Sequence, residues 1–295
     1  MDMDAPVARL DHVSRAYGRV EALRDLTLHL APGVCYGLLG RNGAGKSTAL
    51  KLLVGLLRPD RGSVLVFDHD PFTRPEKAKR SVGYLAEDLV FTRGLPAADL
   101  FRFFAGCHPT WDWGFADDLV RRFAIPADRP LGQLSKGQQR QVGLVCAVAH
   151  RPRLLILDEP GGGLDPVVRR DFLEQVVELL GAEATTVLFS SHHLQEVERI
   201  ADRVGILHEG RLLLEEDLDG LRERSCRVLA EGDLDAAAAR ALEGCVRAER
   251  KEGSWVLTLR CTPEEGKQRV SSRLGARIRD VQPVTLEDLF VSMVG

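Results

Sequence analysis

The chain has 295 residues, a formal net charge of −3 and a pI near 6.3, so no global basic field draws it to nucleic acid. Hydrophobic content of 44% and charged content of 28% are ordinary for a folded globular protein, with length for one large domain and a small one. No apolar run approaches the ~20 residues of a membrane-spanning helix, and the acidic N-terminal MDMDAPVARLD lacks the apolar core of a signal peptide.

Val7 to Val13 and Leu26 to Leu30 read as strands, separated by the turn-rich Tyr17-Gly18-Arg19. Cys35 to Leu39 is a short apolar strand, and Gly40 to Thr48 follows it as GRNGAGKST. Gly40, Gly45, Lys46 and Ser47 satisfy G-x-x-x-x-G-K-[ST], the phosphate-binding loop called Walker A. A triphosphate needs many N–H donors close to its oxygens, and Gly40, Gly43 and Gly45 let the backbone curl tightly around it. A helix is expected to open near Lys46, with its free N–H groups and partial positive charge facing the anion. Lys46 would reach the β- and γ-phosphates, and the Ser47 hydroxyl would ligate Mg²⁺. Asn42, Ala44 and Thr48 complete the candidate phosphate contacts. The plainer alternative is a glycine turn before an ordinary helix. The strand before the loop and the apolar helical stretch Thr48 to Leu57 after it favour the phosphate loop.

Leu57 to Gly62 is a turn and Ser63 to Phe67 a strand. Ala97 to Ala149 reads as mostly helical, with breaks at Pro109 and near Pro126 to Gly132. Aromatics crowd the segment from Asp88 to Phe115, as Phe91, Phe101, Phe103, Phe104, Trp111, Trp113 and Phe115. Most would form a small core, and some could be exposed anchors for a partner. Ser135 precedes a helix running from Lys136 to His150, and Gln138 stands where a capping box needs it. Leu154-Leu-Ile-Leu157 is a buried strand, and Asp158-Glu159 emerge at its C-terminal end, where α/β sheets bind ligands. A helix over Val167 to Leu180 and a strand over Thr186 to Ser190 follow. This alternation predicts a largely parallel sheet with helices on both faces.

From Cys226 the pattern changes to strand, helix (Asp235 to Leu242), strand (Cys245 to Arg250), strand (Ser254 to Cys261), helix (Glu264 to Leu274) and strand (Arg277 to Val281). Glu252-Gly253 would turn the central hairpin. The order suggests a small ferredoxin-like α+β domain, followed by a last helix over Leu286 to Met293. The six cysteines are scattered without zinc spacing, which favours reduced thiols and the cytosol.

Leu134-Ser-Lys-Gly-Gln138, between the phosphate loop and Leu154 to Glu159, resembles the LSGGQ signature of ATP-binding cassette (ABC) ATPases, with Lys136 in place of a glycine. The resemblance covers Val7 to about Glu216. It implies an ABC ATPase core at 1–216, with antiparallel β and helical subdomains (the helical one about 88–150), and a C-terminal accessory domain at 217–295. Asp158 resembles the Walker B aspartate that holds Mg²⁺, and Glu159 the general base that polarises the attacking water. Tyr17 resembles the aromatic that stacks on adenine. Glu87 stands where the family has its Q-loop glutamine, a metal and water contact. Gly163-Leu-Asp165-Pro166 resembles the D-loop, which in the family runs along the dimer partner. His192, rather than the adjacent His193, resembles the switch histidine that reaches the γ-phosphate, so the catalytic candidates are Lys46, Glu159 and His192. Ser135, Gly137 and Gln138 would contact ATP bound to a second cassette.

The resemblance therefore implies an ATP-hydrolysing homodimer, or a pair with a sister subunit, on the cytoplasmic face of the cell membrane and driving a separate permease. Pro283 to Phe290 resembles the end of single-cassette ATPases of bacterial export-type systems. His108 to Trp113 and Leu134 to Asp165 most resemble the subgroup related to antibiotic-resistance and acetoin-uptake transporters. Phe91, just after Glu87, is the expected permease contact. The alternative is a soluble ABC ATPase working on ribosomes or DNA, which usually carries two cassettes or long coiled-coil insertions. A regulatory module without hydrolysis would not need Lys46, Asp158, Glu159 and His192 together. No N-K-x-D guanine signature is present.

Overall fold

A computed structural model describes residues 5–181, 185–232, 234–251 and 253–294. Residues 1–4 of the acidic N-terminal run and Glu252 of the expected hairpin turn lie outside the described residues. The chain divides into two compact units, Met1–Leu214 and Glu215–Gly295.

The first unit runs β1 (Ala8–Tyr17), β2 (Val20–Leu30), β3 (Cys35–Leu39), α1 (Lys46–Leu53), β4 (Arg61–Val66), α2 (Pro75–Lys79) and β5 (Val82–Leu85). It continues through α3 (Ala97–Cys107), α4 (Trp113–Arg122), α5 (Lys136–Val148), β6 (Leu154–Leu157), α6 (Pro166–Gly181) and β7 (Thr186–Ser191). Then come α7 (Leu194–Ile200), β8 (Arg203–His208) and β9 (Arg211–Asp217), whose last three residues fall in the second unit. A three-stranded antiparallel sheet has the order β2-β1-β4, and a six-stranded sheet the order β5-β6-β7-β3-β8-β9. From β5 to β8 the neighbours in the larger sheet are parallel.

Every residue of β6 and β7 is buried, on both alternations of the strand. Both faces of the sheet are therefore covered, which is why LLIL and TVLFSS are continuous runs rather than alternating ones. Leu154, Ile156 and Leu188 share a core with Leu50, Leu52 and Leu53 of α1 and with Leu10, Leu26 and Leu28 of the antiparallel sheet. Each such leucine removed from water stabilises the unit by about 2 kcal/mol. Because β6, β7 and β3 are adjacent and parallel, their C-terminal ends deliver Asp158-Glu159, His192 and the phosphate loop to one edge of the sheet.

Several boundaries differ from those read in the sequence. β1 extends to Tyr17 and β2 begins at Val20, so Tyr17 ends a strand instead of sitting in a long turn. Register shifts between Leu10 and Ala16, with His12 at φ 52°, break the alternation that would have marked the full strand. α1 stops at Leu53, short of Leu57, and Gly55 follows in the left-handed region. β5 and β8 were hidden by central glycines, normally a turn signal. A Cβ on Gly83 would lie 2.1 Å from the Ala147 carbonyl oxygen, and one on Gly205 would lie 2.3 Å from the Tyr36 hydroxyl. Close packing imposes glycine there.

The second unit contains α8 (Leu218–Glu223), β10 (Cys226–Glu231), α9 (Ala236–Arg240), β11 (Cys245–Lys251), β12 (Ser254–Leu259), α10 (Pro263–Leu274), β13 (Arg277–Pro283) and α11 (Leu286–Val294). Its antiparallel sheet has the order β11-β12-β10-β13. Val228, Leu257, Leu259 and Val270 centre a separate core. α9 is shorter than the Asp235 to Leu242 expected, because Asp235 is its N-cap and Ala241 its C-cap.

Candidate functional site

The phosphate loop wraps the start of α1. Gly43 and Gly45 adopt φ of 84° and 107°, and a Cβ on Gly45 would lie 2.3 Å from the Ala22 carbonyl oxygen, so no other residue fits that position. The Lys46 ammonium is buried. It donates to the Gly40 carbonyl at 2.7 Å and lies 3.0 Å from Glu159 Oε1.

Asp158 and Glu159 leave β6 into the same space. Asp158 is 1% exposed and accepts from the hydroxyls of Ser47 (2.9 Å) and Ser190 (2.8 Å) on one carboxylate oxygen. Burial pushes its carboxyl up, and those two hydroxyls oppose the shift. Glu159 stands in the left-handed region at φ 45°, a costly conformation for a non-glycine residue. Four partners hold it there: Ser190 Oγ accepts from its backbone N–H, Arg140 donates to its carbonyl, and Lys46 and His192 flank its carboxylate. His192 Nδ1 is 2.8 Å from Glu159 Oε2. His193 instead has its Nε2 2.6 Å from Arg169 Nη1.

A cleft of about 380 Å³ gathers Tyr17, Asn42, Gly43, Ala44, Gly45, Lys46, Ser47, Thr48, Glu87 and Glu159 on its walls. Tyr17 is 46% exposed at its rim, with the Arg15 guanidinium 5.2 Å from the ring centre. Burial, followed by the charges of Asp158, Glu159 and Asp88, pushes the Glu87 carboxyl up.

Ser135, Gly137 and Gln138 are not part of that cleft. Ser135 and Gln138 form the reciprocal capping box of α5: Ser135 Oγ accepts from Gln138 N, and Gln138 Oε1 accepts from Ser135 N. Lys136 and Gln139 instead line a neighbouring cleft of about 540 Å³ with Glu87, Asp88, Gly163 and His192. The two positions that depart from the LSGGQ and Q-loop patterns, Lys136 and Glu87, thus bring opposite charges to one cleft.

Among the described residues, no group of three or more His, Cys, Asp or Glu side chains could hold a metal ion. The Ser47 and Asp158 oxygens, 2.9 Å apart beside the phosphate loop, could serve as ligands to a hard divalent cation. Glu87 is on the wall of the same cleft.

Sequence reading overlooked three side chains. Ser190 links Asp158 to the Glu159 backbone. Arg140, 5% exposed on α5, donates to the carbonyls of Ala86, Glu159 and Gly162. Arg169 on α6 gathers Gly161, Leu164, His193 and Glu196. No periodic signal in the sequence marked the two arginines: Arg140 stands between two glutamines and Arg169 beside Arg170. Of the crowded aromatics, Phe101 is buried, Phe91, Phe104, Trp111 and Phe115 are partly buried, and Phe103 (65%) and Trp113 (46%) are exposed.

Residues 23–162 match the family described as ABC transporter, and residues 127–198 also match one described as AAA domain, putative AbiEii toxin, Type IV TA system. The chain is 31% identical over 286 residues to the ABC transporter ATP-binding protein YtrB of Bacillus subtilis, covering 97% of each chain. It is 32% identical over 297 residues to the Nod factor export ATP-binding protein I of Sinorhizobium fredii, covering 97% of this chain and 85% of that one. A solved structure of the ATP binding subunit of an ABC transporter superposes with a TM-score of 0.66 at 31% identity, over 73% of this chain and 92% of that one.

Proposed function

The chain belongs to the ABC transporter family as an ATP-binding, ATP-hydrolysing cassette, and from that premise we propose that it powers a separate integral-membrane permease by closing a two-chain clamp around ATP. The observation that carries this reading is the grip of Lys46 and His192 on Glu159, at 3.0 and 2.8 Å, on the wall of the phosphate-loop cleft. That grouping supports Glu159 as the base, Lys46 as the cation and His192 as the imidazole for a bound γ-phosphate.

In this reading the loop N–H groups and Lys46 hold the phosphates, and Tyr17 stacks on the adenine. Ser47 and Asp158 would hold Mg²⁺, with Glu87 reaching it directly or through water. The cation when bound neutralises charge on the β- and γ-phosphates. Glu159 takes a proton from water as its oxygen bonds to the γ-phosphorus. The bond from that phosphorus to the β–γ bridging oxygen breaks, and ADP departs with the electron pair. His192 holds the Glu159 carboxylate and faces the γ-phosphate.

Ser135, Gly137 and Gln138 lie outside their own chain's cleft, which supports a role on ATP held by another chain. A homodimer, or a pair with a sister subunit, completes two such sites. Binding energy from the γ-phosphate closes the pair, and hydrolysis reopens it. No helix among the described residues is long and apolar enough to cross a membrane. In this reading the permease is a separate chain, and this subunit works on the cytoplasmic face. The exposed Phe103 and Trp113, with Phe91 beside the Q-loop position, suit its docking. The export-type tail from Pro283 to Phe290 and the Nod factor export relative support outward transport of a drug, antibiotic or related small molecule. Co-purification with a membrane subunit, followed by a substrate-stimulated ATPase screen, tests this reading. Full-rate, nucleotide-dependent work on ribosomes or DNA with no membrane subunit bound would replace it.

A further inference from the structure

Arg169, in the first turn of α6, spreads one guanidinium over two loops. Its Nε donates to the Gly161 carbonyl at 3.1 Å and its Nη2 to the Leu164 carbonyl at 3.0 Å, both in the segment that follows Glu159. Its Nη1 is 2.6 Å from His193 Nε2, and its Nε is 3.5 Å from Glu196 Oε1, both in the segment that follows β7. The side chain is 19% exposed and its stem lies against Gly161, where a Cβ would come within 2.4 Å of Arg169 Cγ. Glycine at that position makes room for the arginine.

A guanidinium only donates, so His193 Nε2 must be the acceptor. The ring is therefore neutral, with its proton on Nδ1. The backbone N–H of His193 donates to Ser191 Oγ at 2.9 Å, and that hydroxyl donates to Glu196 Oε2 at 2.6 Å. The ring so fixed lies 3.9 Å from the His192 ring, centre to centre. His192 in turn meets Glu159.

We propose that Arg169 and His193 are positioning residues for hydrolysis: Arg169 holds His193 as a neutral backstop to His192 and locks the loop after Glu159 to the loop carrying both histidines. The proposal rests on the reading of Glu159 and His192 as the hydrolytic pair. A fixed neutral ring behind His192 sets its distance to Glu159 without adding a second cation. The same guanidinium makes any movement of residues 161–164 felt at His192. In a two-chain clamp those residues would run along the partner, so Arg169 gives the partner's approach a route to this chain's own chemistry.

The test is steady-state ATPase kinetics of the purified full chain, with nucleotide binding measured beside it. The variants are Arg169→Met, His193→Leu and His193→Gln, with Glu159→Gln as the control. Loss of the fork or of the acceptor should lower kcat about tenfold or more, because a misplaced catalytic group is costly. KM for ATP should stay within about threefold, because the phosphate loop is untouched. His193→Gln, which keeps an acceptor oxygen, should recover most of the rate lost in His193→Leu. Wild-type kcat in both Arg169→Met and His193→Leu overturns the proposal. So does a rise in KM with kcat unchanged, or a His193→Gln rate as low as that of His193→Leu. If Arg169→Met does not fold, the His193 pair decides alone. Undiminished hydrolysis in Glu159→Gln would instead overturn the site reading on which the proposal rests.

Discussion

His192 Nδ1 lies 2.8 Å from Glu159 Oε2, while the other oxygen of the same carboxylate lies 3.0 Å from Lys46 Nζ. The carboxylate is thus held from both sides at a residue whose backbone is already in a costly conformation. Glu159→Gln keeps the shape and removes the base. Hydrolysis should fall by roughly 10²–10⁴, the usual worth of a positioned general base. ATP binding should persist, and size-exclusion chromatography with ATP should show a stable dimer. An ATP-loaded variant that elutes only as monomer would count against the two-chain clamp.

Lys46 and Glu159 are also a buried ion pair, with side chains 4% and 7% exposed. Removing Lys46 leaves the buried Glu159 carboxylate with only the His192 ring beside it, and loss of one partner of a buried pair typically costs up to about 3–5 kcal/mol. Lys46→Met should therefore lose ATP binding and also melt earlier in nucleotide-free buffer. The double variant Lys46→Met/Glu159→Gln should recover much of that stability but none of the binding. Urea denaturation of the four proteins measures the coupling, and simple additivity would mean the pair is not linked in solution.

The strand–loop–helix arrangement around Lys46 and the strand ending in Asp158-Glu159 were legible in the sequence, because each is a continuous apolar run joined to a fixed spacing of chemical groups. β5 and β8 were not, because Gly83 and Gly205 serve close packing across the sheet and look locally like turns. Arg140 and Arg169 were equally illegible. Their value lies in groups outside their own helices, the Ala86 carbonyl 54 residues away for Arg140 and the His193 ring 24 residues away for Arg169. Long-range polar satisfaction of this kind leaves no periodic trace. His192 was preferred to His193 from the strand-Ser-Ser-His pattern and the resemblance; in the structure the His192 ring meets Glu159 and the His193 ring meets Arg169.

Arg140 joins the loop at Ala86 to the turn from Glu159 to Gly162. Arg140→Met keeps most of the packing but takes the guanidinium from three carbonyl oxygens, of which only that of Glu159 keeps the Gly162 N–H as a donor. The expected loss is roughly 2–3 kcal/mol, as for other buried groups left without partners. ATPase activity should fall further than stability alone explains, since the Glu159 carbonyl loses its tether. Arg140→Lys, with a point charge and no fork, should lie between the two. Thermal melting and kcat measured together on both variants check this. A methionine variant as active as the parent would make the arginine a packing residue only.

His150 closes the C-terminal end of the α5 segment and should make the protein acid-sensitive. It is 2% exposed, its Nε2 is 3.2 Å from the Val82 carbonyl, and its ring stacks 4.0 Å from that of His108. Burial first, then the neighbouring His108, lowers its pKa from 6.5 to about 4. The folded chain therefore holds the ring neutral, while the unfolded chain protonates it near pH 6.5. The stability this contributes is complete above pH 6.5 and is lost as pH falls toward 4, because the unfolded state binds the extra proton across that window. A shift of this size corresponds to about 3 kcal/mol. His150→Gln keeps a donor for the Val82 carbonyl and cannot titrate. Chemical denaturation from pH 7 to pH 4 should show the parent losing stability faster than the variant, with the gap opening between pH 6.5 and 4. Parallel curves over that range would remove His150 as a source of the acid sensitivity.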